Sequence, residues 1–174
     1  MKSLSLVAVL LLITFISCNN HSTDLQAALQ AKDDSTKVKI EKFVAEAWNK
    51  KNTAYLDDKL ADNFIRSANG IVVANNKAEM APAMDVFFKA FPDLNLVVNN
   101  ITVKRNRSYT TWTFTGNNTG MFGEAPATGK KVTFSGISVG AWTDDGKLNR
   151  EDVYFNELSM MQQLGYILQP PVLK

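Results

Sequence analysis

The feature that most restricts the fold is a change in the hydrophobic period at Pro92. Before it, apolar residues recur at helical spacing, as in Ile40, Phe43, Val44, Ala47 and Trp48. After it come short segments rich in β-branched and aromatic residues, separated by turn sequences at 106–108 and 144–146. Helices followed by consecutive, closely connected strands predict an α+β domain, with helices packed on one face of an antiparallel sheet.

Capping residues set the predicted bounds of the helices. The first helix begins at Ser35 or Thr36, Thr53 caps a shorter second helix, and the third begins after Asn76. Pro82 lies inside that third helix and predicts either a late start or a kink. A short final helix ends at Gly165, where glycine supplies a C-cap.

Composition excludes several classes of protein. With 174 residues the chain is long enough for one domain, and 19 basic against 17 acidic side chains give no field that would favour nucleic acid. A single cysteine excludes an intramolecular disulfide. The only histidine, His21, lies near the N-terminus, in a segment that we expect to lie outside the folded domain. We therefore expect neither a His-based metal site nor a Ser-His-Asp triad.

The N-terminus has the pattern of a bacterial lipoprotein signal. Lys2 precedes an apolar run over residues 4–16, which is too short to span a bilayer. Residues 15–18 resemble a lipobox, whose cysteine, here Cys18, is lipidated. The alternative is an ordinary signal with a buried thiol. The pattern predicts a protein of the bacterial cell envelope, attached to a membrane through its N-terminal lipid.

The chain divides into four predicted segments. After the signal comes a stretch with few large apolar residues, which predicts a flexible tether. The domain follows, and Pro170 and Pro171 make the last residues an extended tail. The segments are a signal peptide at 1–17, a tether at 18–35, the domain at 36–166 and a tail at 167–174.

Linked motifs in the domain resemble the SnoaL-like polyketide cyclases, or ester cyclases, of the NTF2-like superfamily. These motifs are residues 91–94, 112–122, 128–132, 145–148 and 161–165. The resemblance implies a cone-shaped barrel in which three N-terminal helices and a bent antiparallel sheet enclose an apolar pocket. It also implies an intramolecular aldol ring closure, in which a pocket aspartate is the acid/base and neither metal nor cofactor takes part. A homodimer is the expected assembly.

The sequence departs from the pattern of this family at its proton-transfer positions. Asn118 stands where the family commonly has histidine, and Asn156 stands where it commonly has the aspartate. An amide does not transfer protons near neutral pH. These departures weaken the assignment as a standard cyclase.

Alternation along the last strand offers a replacement site. Asp152, Tyr154 and Asn156 share one face, while Val153 and Phe155 share the other. If the polar row faces the pocket, Asp152 is a base with a raised pKa, Tyr154 donates to an oxyanion and Asn156 orients a carbonyl. Alternatively, the apolar pair faces the core, and the polar row meets solvent or a dimer partner.

Aromatic side chains supply the candidate ligand-binding surface. A cavity for a flat apolar ligand would use them, although each also fits ordinary core packing. The predicted ligand-binding residues are Trp48, Phe88, Trp112, Phe114 and Asn118.

Three classes of function remain open. The first is a cofactor-independent cyclase, isomerase or hydratase that acts on a small hydrophobic carbonyl compound. The second is a lipid-anchored protein that binds such a compound without chemistry, and the third is a dimeric interaction module. The discriminating observation is whether a cavity contains the carboxylate of Asp152.

Overall fold

The structure is a computed structural model that describes residues 2–171, with side chains from residue 23 onward. Cys18 therefore lies outside the described side chains. The helices are α1 (Lys2–Phe43), α2 (Lys77–Ala90) and α3 (Glu157–Leu164), with a π-helical segment at Val44–Asn49 and a 3-10 turn at Thr53–Leu56. The strands are β1 (Leu60–Ala68), β2 (Ile71–Ala74), β3 (Asn95–Lys104), β4 (Arg107–Asn117), β5 (Lys131–Trp142) and β6 (Leu148–Phe155).

The six strands form one open sheet in the order β2-β1-β6-β5-β4-β3. Strands β3 to β6 make the antiparallel meander that the short turns predict. However, β1 pairs with β6 in parallel, so the expectation of a wholly antiparallel sheet is wrong. A parallel pair needs a long crossover, and the chain between β1 and β6 supplies one. The sheet is mixed and does not close into a barrel.

Helix α1 begins well before the predicted cap. Thr36 donates its hydroxyl to the carbonyl of Lys32, one turn back, and so does not cap a helix start. The predicted tether is helical instead, because residues 24–32 are rich in alanine, leucine and glutamine, which favour helix. Leu25 and Leu29 are exposed, and burial begins at Asp33. Within residues 2–171, no helix is both long and apolar enough to cross a membrane.

The other helix boundaries follow the predicted caps. The side chain of Asn76 accepts from the backbone N–H of Glu79 at the start of α2, and the helix continues through Pro82 without a late start. Gly165 has a φ of 101° at the C-terminus of α3, a left-handed conformation that glycine adopts without strain. The predicted caps at Asn76 and Gly165 are therefore confirmed.

The core consists of two apolar clusters on the inner face of the sheet. The first lies beneath α1 and α2 and includes Phe43, Trp48 and Trp142. The second lies nearer α3 and includes Trp112 and Phe134. Phe87, Phe88 and Leu96 contact both clusters.

Candidate active site

A cavity of about 80 Å³ lies on the inner face of the sheet, lined by members of both core clusters. An apolar cavity of about 150 Å³ accommodates benzene. This cavity therefore suits a few heavy atoms of a ligand, with the rest of a larger ligand in its partly open mouth. All three tryptophans of the chain, Trp48, Trp112 and Trp142, are among the lining residues. The apolar part of the wall also includes Phe43, Phe87, Phe114, Phe134, Val153 and Phe155.

Strand register builds one polar row across this wall. Arg66 on β1 pairs with Glu151 on β6, Glu151 pairs with Gly140 on β5, and Gly140 pairs with Ser108 on β4. Residues paired across strands point to the same face of a sheet. The cavity therefore receives a guanidinium, a carboxylate and a hydroxyl from one row.

Arg66 and Glu151 form a largely buried ion pair. Nη1 of Arg66 lies 3.1 Å from Oε2 of Glu151, and each side chain is only 12% exposed. The guanidinium also lies over the Trp48 ring, 5.1 Å from its centroid, and Nη1 is 3.8 Å from the sulfur of Met80. The ion-pair contact lacks hydrogen-bond alignment, so among the described residues Oε2 has no hydrogen-bond donor.

Two serine hydroxyls lie on the same wall, each held by an indole. Nε1 of Trp142 donates to Oγ of Ser108 at 2.9 Å, and Nε1 of Trp112 donates to Oγ of Ser138 at 3.1 Å. Both serines line the cavity together with Thr110. The wall thus has hydroxyl groups between aromatic surfaces.

The row of Asp152, Tyr154 and Asn156 points away from the cavity, so the expectation that it faces the cavity is wrong. The residues of β6 that line the cavity are Glu151 and Val153, together with Phe155. A cavity wall in a protein interior is mostly apolar, and the apolar alternate residues of β6 take that side. The polar alternate residues consequently lie on the outer face.

Asp152 is a member of a hydrogen-bonded cluster on the outer face. Ser67 donates its hydroxyl to Oδ1 at 2.6 Å, and the Arg150 guanidinium donates to both carboxylate oxygens at 2.7 and 2.8 Å. The hydrogen bond from Arg150 is the main reason that the pKa of Asp152 is lowered, not raised as a base in an apolar pocket would require.

Tyr154 and Asn156 also have positions outside the cavity. Tyr154 is 47% exposed on the outer face of the sheet. Asn156 is the N-cap of α3, because its Oδ1 accepts from the backbone N–H of Ser159 at 2.9 Å. The family's acid/base position is therefore a helix cap in this chain.

Asn118 is buried but belongs to a loop contact and not to the cavity. Its amide nitrogen donates to the carbonyls of Ala90 and Gly120, and its Oδ1 accepts from the backbone N–H and the hydroxyl of Thr128. These four bonds use the hydrogen-bonding capacity of the amide. The prediction that Asn118 binds ligand is thus replaced by a structural role.

The predicted aromatic lining is largely in place. Trp48, Trp112 and Phe114 line the cavity, whereas Phe88 lies outside the lining and packs edge to face on Trp48 with centroids 5.8 Å apart. Sequence reasoning missed Glu151 because it lies between two charged neighbours, a pattern typical of solvent exposure. The available signal was its alternation with Val153, an apolar residue on the same face.

The domain matches the family model described as SnoaL-like polyketide cyclase over residues 38–164. A comparison with curated proteins finds no match. Among solved structures, the chain is similar to AclR, a candidate hydroxylase from Streptomyces galilaeus, with a TM-score of 0.69 and 24% identity over 80% of this chain and 86% of that one.

Two further solved structures have the same fold. A candidate SnoaL-like polyketide cyclase from Jannaschia sp. CCS1 has a TM-score of 0.69 and 19% identity, covering 81% of this chain and 94% of that one. An LEH-like epoxide hydrolase from M. tuberculosis has a TM-score of 0.56 and 17% identity, covering 72% and 85%. The fold is NTF2-like, and the chain belongs to the SnoaL-like polyketide cyclase family.

Proposed function

We propose that this protein is a cofactor-independent acid/base enzyme of the cyclase or isomerase type, acting on a small hydrophobic carbonyl compound. The observation that carries the proposal is the Glu151 carboxylate in the wall of an otherwise largely aromatic cavity. A carboxylate is a competent general base when it lies within reach of the proton to be moved. Glu151 takes the role that the sequence had suggested for Asp152.

The proposed reaction is proton abstraction from the carbon next to a carbonyl. Glu151 removes the proton, the electron pair of the C–H bond moves into the new C=C bond, and the carbonyl π electrons move to oxygen. Return of the proton to a different carbon isomerises the compound, whereas attack of the enolate on a second carbonyl closes a ring. Arg66 compensates the charge of the buried carboxylate and fixes its position.

The test uses cyclopentanone, whose small ring can occupy the cavity together with its partly open mouth and whose α-protons exchange through an enolate. In D₂O, NMR follows loss of the α-proton signal with the full chain present. We expect the wild type to accelerate exchange and Glu151→Gln to lower that acceleration about 10²- to 10⁴-fold. Glu157→Gln is the matched control, because this glutamate is exposed at the start of α3. Equal rates in both variants would contradict the role of Glu151.

A non-catalytic binding protein is the second candidate. The observation that favours it is the structural use of both family proton-transfer positions, Asn118 in a loop contact and Asn156 in a helix cap. This candidate predicts that cyclopentanone binds while its exchange rate stays at the level of buffer.

We also propose that the protein is attached to a membrane of the bacterial envelope through a lipid on Cys18. The apolar run at 4–16 followed by the chain's only cysteine supports this assignment. Cys18→Ser should lose labelling by a fatty acid and leave the membrane fraction, whereas Ser17→Ala should retain both. Membrane-bound, labelled Cys18→Ser protein would refute the anchor.

A homodimer is the assembly that we propose, formed through the outer face of the sheet. That face exposes Val97, Tyr109 and Tyr154, each between 46% and 49% accessible. For the unprocessed chain, sedimentation should give twice the mass of 19.3 kDa. Tyr109→Glu should then shift the protein to the monomer, since it places charge in the contact.

A further inference from the structure

We propose that Ser108 and Ser138 form the acceptor-binding wall of the cavity, where they donate hydrogen bonds to an oxygen of the ligand. A ligand with an acceptor oxygen, such as a carbonyl, then follows from the wall itself. This inference rests on the proposed function only in using the same cavity. It does not require Glu151 to act as a base.

The argument begins with the direction of the indole hydrogen bonds. An indole N–H is a donor only, so Trp142 makes Oγ of Ser108 an acceptor, and Trp112 does the same to Oγ of Ser138. Each hydroxyl keeps its own proton for another partner. Within residues 23–171, no group accepts a hydrogen bond from either serine. Both protons are therefore available to a ligand in the cavity.

Two glycines leave the space that this arrangement needs. A Cβ at Gly140 would lie 2.4 Å from Oγ of Ser108, and a Cβ at Gly136 would lie 2.4 Å from the Trp112 ring. Any side chain at these positions would displace a hydroxyl or an indole. The glycines thus permit close packing that holds the donors in place before a ligand binds.

The strand register determines where Ser108 lies relative to the Glu151 carboxylate. Ser108 and Glu151 lie in one cross-strand row, and Gly140 places no side chain between them. Their Cα atoms are two strand spacings apart, about 10 Å. A compound of a few heavy atoms fits between the side-chain ends, with its oxygen toward the serine and an adjacent carbon toward Glu151.

The selectivity of the wall is tested with cyclopentanone and methylenecyclopentane, which differ mainly in an oxygen or a CH₂ on the same ring. Ligand-observed NMR titration of the full chain gives a dissociation constant for each. We expect Ser108→Ala and Ser138→Ala each to weaken cyclopentanone binding about fivefold and to leave methylenecyclopentane unchanged. Ser135→Ala is the matched control, because its hydroxyl lies on the outer face with that of Thr113 at 3.0 Å.

A second variant separates ligand recognition from a purely structural role. Ser138→Ala leaves the buried N–H of Trp112 unpaired and lowers stability, whereas Ser138→Ala/Trp112→Phe removes both partners and restores part of it. A structural role alone predicts changed stability with an unchanged ratio of the two dissociation constants. Recognition by the serine predicts loss of the ketone preference in both variants.

The outcomes are distinct from those of the exchange experiment. A ketone preference that both serines support, without any exchange, would sustain the acceptor wall and reject the enzyme. Exchange that depends on Glu151, with a ketone preference that neither serine changes, would overturn the acceptor wall and sustain the enzyme. Absence of any ketone preference in the wild type would also overturn the wall.

Discussion

The two faces of β6 have similar charged pairs that differ in burial and in hydrogen bonding. Each face has an arginine–carboxylate pair, Arg66 with Glu151 on the inside and Arg150 with Asp152 on the outside. The inner side chains are each 12% exposed, whereas the outer arginine is 44% exposed. The outer carboxylate has aligned hydrogen bonds from Arg150 and Ser67, while Oε2 of the inner carboxylate has none among the described residues.

The two carboxylates differ in their position and in their hydrogen-bond partners, and not in residue type: Glu151 lines the cavity, whereas Asp152 lies outside it. A carboxylate whose oxygens are used by strong donors is held as an anion and has little capacity to receive a proton. The inner carboxylate has one compensating charge, that of Arg66, and its Oε2 has no hydrogen-bond donor among the described residues. Since Glu151 and not Asp152 lines the cavity, the inner carboxylate is the one that the proposed proton transfer uses.

The largest effect should come from removing the inner arginine. Arg66→Met leaves a buried carboxylate unpaired, which should lower the free energy of unfolding by about 3–5 kcal/mol. Arg150→Met, the matched change on the outer face, should cost about 1 kcal/mol or less because the pair is partly exposed. Urea denaturation at pH 7 measures both. Equal losses of unfolding free energy in the two variants would show that the inner and outer ion pairs do not differ in their contribution to stability.

A methyl group on the inner face of β5 should have the next largest effect. In Gly136→Ala, the new Cβ would lie 2.4 Å from Trp112 and 2.7 Å from the carbonyl of Tyr154. Overpacking of this kind costs about 1–3 kcal/mol. Ser135→Ala, one residue away on the outer face, should change stability by about 0.5 kcal/mol or less. Thermal unfolding compares the two variants, and a neutral Gly136→Ala would show that the inner wall can relax.

Asp152→Asn should lower stability at pH 7 by about 1 kcal/mol, since its charge-assisted bonds are partly exposed. The lowered pKa in the folded state means that this contribution is fully present above the unfolded value of 3.8 and is lost as pH falls through the lower folded pKa. The difference in Tm from wild type should therefore shrink below about pH 4. Proton exchange of cyclopentanone should be unchanged, and a large fall would return Asp152 to the site.

Tyr154→Phe should have the smallest effect. The side chain is nearly half exposed on the outer face, and the substitution removes only a hydroxyl. Stability should change by about 0.5 kcal/mol or less, and both dissociation constants for the ring probes should stay at the wild-type values. A tenfold weaker affinity for cyclopentanone would place this hydroxyl in the cavity and reverse the assignment of the two faces.

Local signals in the sequence were sufficient for much of the fold. Asn76 and Gly165 define helix ends because a cap is made by residues close together in the chain. The division of the β6 residues between two faces was also correct, but the row chosen as catalytic lies on the outer face and not in the cavity. Alternation separates two faces without saying which one meets a cavity, and that depends on helices far away in sequence. Arg66, the partner of Glu151, lies on a distant strand and was not recognisable from local pattern.

The prediction of a flexible tether failed for the opposite reason. It relied on the lack of apolar residues for tertiary packing and neglected the helix propensity of the same segment. The tether prediction rested on the scarcity of apolar residues before Asp33, and the exposed Leu25 and Leu29 agree with that scarcity. Helix propensity over the same residues is nevertheless high. The helix therefore extends beyond the part that is packed on the domain.

The parallel pairing of β1 with β6 has a consequence for the order of folding. Ser67 and Asp152, which are partners across this pairing, are 85 residues apart in the chain. The β3–β6 meander needs only short loop closures, whereas docking of β1 must close one of the longest loops in the domain, and such contacts form slowly. The pair of Arg66 and Glu151 spans this same junction. We therefore expect the site to be completed only at the last stage of folding, so that partly folded chains have the Glu151 carboxylate in the cavity wall without the Arg66 guanidinium that compensates its charge.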